Sequence, residues 1–230
     1  MVVNSDDPWE ELRAYTATYL KEEIAAEALV RRLESFTSFL FYLAAKVGEE
    51  LNYASFGSDL GLGPKTVEGY LETLEDTLIG FHVPPFQKTI IRKSISRSKF
   101  YLFDLGVTSS LLERTEIPRN SDSYGKSFEH FIILEIRAAL SYFRRREQLC
   151  FWRTHSGQEV DCIIGQEMAL AIKSTDLVHE RHLRHLKALR EEGLIKNFAV
   201  ISHDLEERII DGIHIYPWRE FLKKLWGGEF

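Results

Sequence analysis

Along the first fifty residues the apolar positions recur every three or four residues. Leu12, Tyr15, Tyr19, Ile24 and Leu29 fall mostly at helical spacing, which predicts a helix over 8–34. Asp7 is placed to cap it, and Pro8 suits the first helical position. A second stripe, Phe36, Phe39, Leu40, Leu43 and Val47, predicts a helix over about 35–51 with a core-facing side. A short helix follows from Ser55. Gly61 and Gly63 make a tight turn, and Pro64 opens a further helix that buries Val67, Leu71 and Leu74. Helix, glycine turn, helix is the helix-turn-helix pattern.

The period then changes. Residues 77–104 read as LIGFHV, a Pro84-Pro85 break, KTIIR, a polar basic loop over 93–98, and KFYLFD. Apolar runs of this length bounded by turn residues predict a β-hairpin, and a hairpin after a helix-turn-helix predicts a winged helix. A short helix over 107–113 and the polar loop ERTEIPRNSDS end this half. The boundary falls there, leaving a helical, winged-helix domain over 1–114 and a second domain over 122–230.

The second half opens with a long apolar-striped helix over 124–147. Three strands are predicted at Gln148–Thr154, Gln158–Ile164 and Met168–Lys173, the first two joined at His155-Ser156-Gly157. A helix over about 177–192, a strand at Asn197–Ser202 and an amphipathic helix at Pro217–Trp226 complete it. The class is α/β (α+β). The order αβββαβ is the core of the restriction-endonuclease-like fold, that of the PD-(D/E)xK nucleases.

That fold works with carboxylates on adjacent strands that hold a divalent cation, and a lysine beside them. Asp161 stands in the second strand and Lys173 ends the third, but the position two before the lysine is Ala171. Glu159 shares strand parity with Asp161. Glu135, with Glu129 six residues before it, offers a carboxylate from the first helix. Asp161, Glu159, Glu135 and Lys173 are therefore the candidate catalytic set, expected to be degenerate. Asp161 and Glu135 would be the metal ligands of an active form, with magnesium or manganese as its only cofactor. The alternative is a structural Asp161–Lys173 ion pair. His179, His182 and His185 are spaced three apart, but among Glu180, Arg181, Arg184 and Lys187 they read as a solvated face. Gly63-Pro-Lys-Thr is not a phosphate loop, because proline separates glycine from lysine and the context is helical. No ATPase activity is expected.

Charge sharpens the picture. The net charge of −6 divides into −9 over 1–80, +6 over 81–146 and −3 over 147–230. The basic middle suggests a polyanion footprint. Lys88, Arg92, Lys93, Arg97 and Lys99 of the hairpin, Lys65 at the start of the second helix of the pair, and Arg144, Arg145 and Arg146 are the candidate phosphate contacts. Against a major-groove reading helix stand Glu68, Glu72, Glu75 and Asp76. The arginine triplet also suits a helix C-terminus without any ligand. No apolar run has the roughly 18 residues of a membrane span. The acidic N-terminus lacks the basic and apolar regions of a signal peptide. Two cysteines, Cys150 and Cys162, make no disulfide framework, so a cytoplasmic, reduced protein is expected.

Eight stretches occur in one order: TYLKEEI, LNYASFGSDLGLGPKTVEGYLETLEDTLI, PPFQK, KFYLFDLGV, GKSFEHFIILEI, FWRTHSGQEVDCII, ALAIKST and IHIYPWREFLKKLWGGE. Together they resemble the C-terminal part of bacterial and archaeal AAA-superfamily ATPases that carry domain of unknown function 4143. In that family a P-loop ATPase module precedes a winged helix and a nuclease-like domain. The resemblance implies Glu135, Glu159, Asp161 and Lys173 as nuclease-like positions and a glutamate where this chain has Ala171. The ATPase module is absent, which suggests a truncated product, an excised piece or a stand-alone relative. The expected function is a nucleic-acid-binding or regulatory module with a degenerate nuclease site. The rivals are a divalent-metal-dependent DNA nuclease and a protein-interaction scaffold. The partners these readings call for are double-stranded DNA, an ATPase module in trans, or a second copy of the chain.

Overall fold

The computed structural model describes residues 5–19 and 33–230, and the chain forms two units. The first holds Met1–His82 and Lys99–Pro118; the second holds Val83–Ser98 and Arg119–Phe230.

In the first unit α1 (Pro8–Ala14) begins as expected, with Asp7 Oδ1 accepting from Trp9 N and Glu10 N at 3.1 and 3.0 Å. It passes into a π-helical turn, Tyr15–Tyr19. Residues 20–32 of the predicted 8–34 helix, with Ile24 and Leu29, lie outside the described residues, and Leu33 and Glu34 already belong to the next helix. α2 (Leu33–Ala45) buries Phe36, Phe39, Leu40 and Leu43. It stops before the predicted residue 51, because Gly48 adopts φ +76° and gives its N–H to Phe100 O (3.0 Å) instead of to a helical carbonyl. α3 (Tyr53–Leu60) and α4 (Pro64–Asp76) flank a three-residue link, and Val67, Leu71 and Leu74 are buried. Gly61 takes φ +66°, and Leu62 N closes the link onto Gly57 O at 2.8 Å. β1 (Gly80–Val83) pairs with β2 (Lys99–Leu102), and α5 (Leu105–Leu111) follows, capped by Asp104.

One element differs from expectation in kind. KTIIR forms no strand. The chain leaves the first unit after His82, runs through the second as Val83–Ser98, and returns at Lys99. Within the second unit Phe86 N donates to Phe151 O, Phe151 N to Pro84 O, and Ile95 N to Arg153 O. Main-chain pairing, which β-propensity does signal, is thus made with a strand far along the chain instead of with a hairpin partner.

The second unit is a six-stranded mixed sheet. Its strands are β3 (Leu149–Arg153), β4 (Glu159–Ile164), β5 (Met168–Ile172), β6 (Asn197–Ser202), β7 (Arg208–Ile210) and β8 (Ile213–Pro217). They stand in the order β3-β4-β5-β6-β8-β7. β3, β4 and β5 are antiparallel neighbours, β6 lies parallel to β5 and to β8, and β7 returns antiparallel. α6 (Asp122–Tyr142), α7 (Arg184–Arg190) and α8 (Trp218–Trp226) pack on it. Alternation along the strands sorts the faces. Ala169, Ala171, Phe198, Val200, Ile213 and Ile215 join one apolar cluster with Leu186 and Leu189 of α7. Leu170, Ile172, Ala199 and Ile201 are buried on the other side.

Two local signals and one longer-range hydrogen bond explain the remaining differences. β7 and β8 are joined by Asp211 and Gly212 at φ +52° and +74°, an Asp-Gly two-residue hairpin whose turn signal stands in the sequence. α6 ends at Tyr142, and Arg144 takes φ +53°, so Arg144–Arg146 lie beyond the helix and not on its last turn. The predicted 177–192 helix is shorter, because Val178 N is held by Asp204 (2.9 Å) and a 3₁₀ turn, Glu180–Leu183, precedes α7.

A Cβ on Gly57 would stand 2.4 Å from the backbone oxygen of Leu62. Gly57→Ala is therefore expected to lower stability by about 1–3 kcal/mol, read as a reduced denaturation midpoint at unchanged slope.

Candidate functional site

At the carboxyl end of β5, Asp161 and Lys173 meet. The register between β3 and β4 slips between Cys150 and Trp152, so that Asp161 and Cys162 together stand opposite Phe151. Such a bulge re-aims the bulged side chains. Asp161 is nearly buried, with 8% of its side chain exposed, and its Oδ2 accepts from Ile172 N (2.7 Å) and Lys173 Nζ (3.0 Å). The Asp161 carboxylate, more than anything else, raises the pKa of Lys173, against the opposing effect of its burial; Glu129 and Glu159 add to the rise. Lys173 is thus held as an ammonium at neutral pH. It can hold an anion but not take a proton.

The other expected carboxylates fall apart from this pair. Glu159 Oε2 accepts from Arg153 Nη1 at 3.1 Å. Glu135 accepts from the indole Nε1 of Trp226 on α8 at 2.7 Å, which ties it to packing between helices. Of the two glutamates on α6, it is Glu129 whose charge reaches Lys173. Ala171 is 3% exposed inside the cluster with Val160, Leu186 and Val200, so its position faces apolar side chains. Among the described residues no group of three or more His, Cys, Asp or Glu side chains is gathered to hold a metal ion. Magnesium is commonly held by one or two carboxylates with water and phosphate oxygens, and the Asp161 oxygen at this point already accepts from Ile172 N and Lys173 Nζ.

The histidines are structural in their contacts. Arg184 Nε donates to His185 Nε2 (2.8 Å), which leaves the proton on Nδ1, where it is given to Glu159 O at 3.0 Å. His182 Nδ1 accepts from His179 N at 3.1 Å. Burial lowers the pKa of His182, His185 and His203, and neighbouring arginines lower each further.

The basic residues divide into committed and open. Lys99 is 3% exposed, so it leaves the set expected to face phosphates. Arg92 is engaged as well: Nη1 donates to Ala188 O (3.0 Å) and Nη2 pairs with Glu191. Arg145 is bound to Glu147 at 2.6 Å and to the Phe230 carbonyl, and that pairing holds Glu147 down at about 2. Lys65, Lys88, Lys93, Arg97, Arg144 and Arg146 are exposed. Sequence reading did not find Glu192. Its side chain is 0% exposed and accepts from three successive backbone N–H groups, Ile90, Ile91 and Arg92, each at 2.9 Å. No local signal marks a glutamate whose partners lie about a hundred positions away. The loop it holds sits in a run, 83–103, without any Asp or Glu.

A family profile described as "Domain of unknown function (DUF8612)" matches residues 2–117, and one described as "Domain of unknown function (DUF4143)" matches 124–221. The second accords with the resemblance drawn from the motifs. Two curated proteins, "Uncharacterized protein Rv2008c" of Mycobacterium tuberculosis and "Uncharacterized protein Mb2031c" of Mycobacterium bovis, are each 25% identical over 167 residues. The match covers 70% of this chain and 37% of theirs, so the chain spans little more than a third of the relatives it matches. No solved structure gives a significant match. No helix among the described residues is long and apolar enough to cross a membrane.

Two outcomes are expected. Asp161→Ala leaves Ile172 N–H and Lys173 without their acceptor, and it should lower stability by about 1–3 kcal/mol in chemical denaturation. The three histidines bind protons more weakly folded than unfolded, so the unfolded chain holds more protons just below the ordinary histidine pKa of about 6.5. Stability should be full above that pH and fall as the solution is acidified through the lowered native values. Thermal melting between pH 7.5 and 5 reads this, and His185→Gln should shrink the change.

Proposed function

The chain belongs to the family described as Domain of unknown function (DUF8612), and from that premise we propose that it is a non-cleaving, duplex-DNA-binding regulatory module. In this reading the first unit is a winged helix. The second is a restriction-endonuclease-like domain whose site has become structural. The match to a 37% share of longer relatives, and the resemblance to AAA-superfamily ATPases, support a place as the accessory region of a larger ATPase assembly.

The observation that carries the loss of cleavage is the state of Asp161. Both recorded bonds go to one oxygen, one from the backbone and one from Lys173. Ala171 has apolar neighbours, Glu135 is tied to Trp226 and Glu159 to Arg153, and among the described residues no three acidic, His or Cys side chains are gathered for a cation, although the charges of Glu129 and Glu159 reach Lys173. An ion pair without an ion to bind is a strut.

DNA contact is assigned to the loop over 88–97. Lys88, Lys93 and Arg97 are exposed, no acid interrupts them, and Ser96 lies between. Ordered cations near a polyanion raise affinity by releasing counterions, and each phosphate neutralised contributes about −0.9 to the log–log salt slope. With three such cations the slope should be about −3. Arg92 and Lys99 are absent from this set because their contacts are already made.

Two measurements test the reading. Supercoiled plasmid incubated with magnesium or manganese should remain uncut; nicking abolished by Asp161→Ala would establish the nuclease rival instead. Anisotropy of a labelled duplex of about 30 base pairs should show affinity that falls with salt. An absence of binding at low salt would favour the protein-scaffold reading and remove this one.

A further inference from the structure

We propose that Ile90 and Ile91 form an apolar wedge that enters the minor groove of duplex DNA and partly unstacks a base step. This rests on the duplex-binding reading above and adds its mode. The two side chains are 89% and 66% exposed. They are adjacent, β-branched and therefore stiff at χ1.

The backbone behind them is fixed. Ile90 N and Ile91 N donate to Glu192 Oε2, and Arg92 N to Oε1. Thr89 Oγ1 donates to Arg92 O (2.8 Å) and meets Ser94 Oγ at 2.8 Å. Arg92 reaches Ala188 O and Glu191 on and beyond α7. A loose loop would fold two isoleucines back against the nearest apolar surface. This one is prevented from doing so by a buried carboxylate, which removes most of the ordering cost of binding in advance.

The surroundings select the partner. Lys88, Lys93 and Arg97 flank the tip, and the run 83–103 holds no acid. Protein interfaces are poor in lysine at their centre, whereas proteins that kink DNA set apolar side chains between base steps and neutralise the phosphates on either side. Short branched side chains between cations match the second arrangement. Of the two acids in the loop's hydrogen bonds, Glu192 is buried on the backbone N–H groups of Ile90, Ile91 and Arg92, and Glu191 is paired with the Arg92 guanidinium.

The test separates wedge from charge. A duplex of about 30 base pairs, labelled at both ends, reports bending by energy transfer and affinity by anisotropy across a salt series. The wild-type chain is expected to shorten the end-to-end distance. The double variant Ile90→Ala, Ile91→Ala should lose the bend and about tenfold in affinity while keeping the salt slope. Lys93→Ala should keep the bend and flatten the slope by about 0.9. All three positions are exposed, and unchanged thermal melting confirms that the variants fold. A double variant that bends DNA as the wild type does overturns the wedge and leaves duplex binding standing. Loss of salt-dependent affinity in every form, the wild type included, overturns both.

Discussion

Three buried carboxylates in the second unit accept backbone N–H groups from other segments of the chain. Glu192 takes Ile90, Ile91 and Arg92; Asp161 takes Ile172; Asp204 takes Val178 at 2.9 Å as well as the Ser202 hydroxyl and Arg208. A buried charge is tolerated only when its hydrogen bonds are made, and a buried N–H only when it finds an acceptor. Each pairing satisfies both conditions at once. Their geometry sets the path of the excursion, the exit of β5 and the approach to α7.

The Asp161–Lys173 pair is made in full: one carboxylate oxygen accepts from Ile172 N and from the Lys173 ammonium. The second unit runs helix, three strands, helix, strand from α6 to β6, and the bulge in β4 lies at Asp161, which meets Lys173. Ala171 packs among apolar side chains, Glu159 pairs with Arg153, and Glu135 serves Trp226. Under these conditions the strongest partner for Asp161 is the ammonium itself. Pairing also raises the pKa of Lys173, which keeps that charge in place.

The excursion over Val83–Ser98 reorganises the view of the basic middle. As a hairpin wing its cations would have been equivalent. Docked on the second unit, they are sorted. Arg92 is spent on main-chain and carboxylate acceptors, Lys99 is buried in β2, and Lys88, Lys93 and Arg97 remain outward. The same docking covers β3, which would otherwise be a bare sheet edge, through the bonds of Phe86, Phe151 and Ile95.

Local chemistry in the sequence determined much of this. Asp7 and Pro8 start α1, Gly61 turns α3 toward α4, and apolar spacing places Val67, Leu71 and Leu74 inside; the strands β3 to β6 follow from runs bounded by turns. The Asp161–Lys173 pairing was equally legible, because two adjacent strands bring strand-end residues together. Asp211-Gly212 is a turn signal of the same local kind. Tertiary structure alone decided the rest. A backbone N–H carries no record of its acceptor, so nothing near Glu192 announces Ile90, and nothing near Lys99 announces its burial. Glu129 and Glu135 are indistinguishable until the packing of α6 sets one near Lys173 and the other against Trp226. Burial and long-range hydrogen bonding are properties of the whole chain, and for that reason the committed and the open cations separate only in the folded molecule.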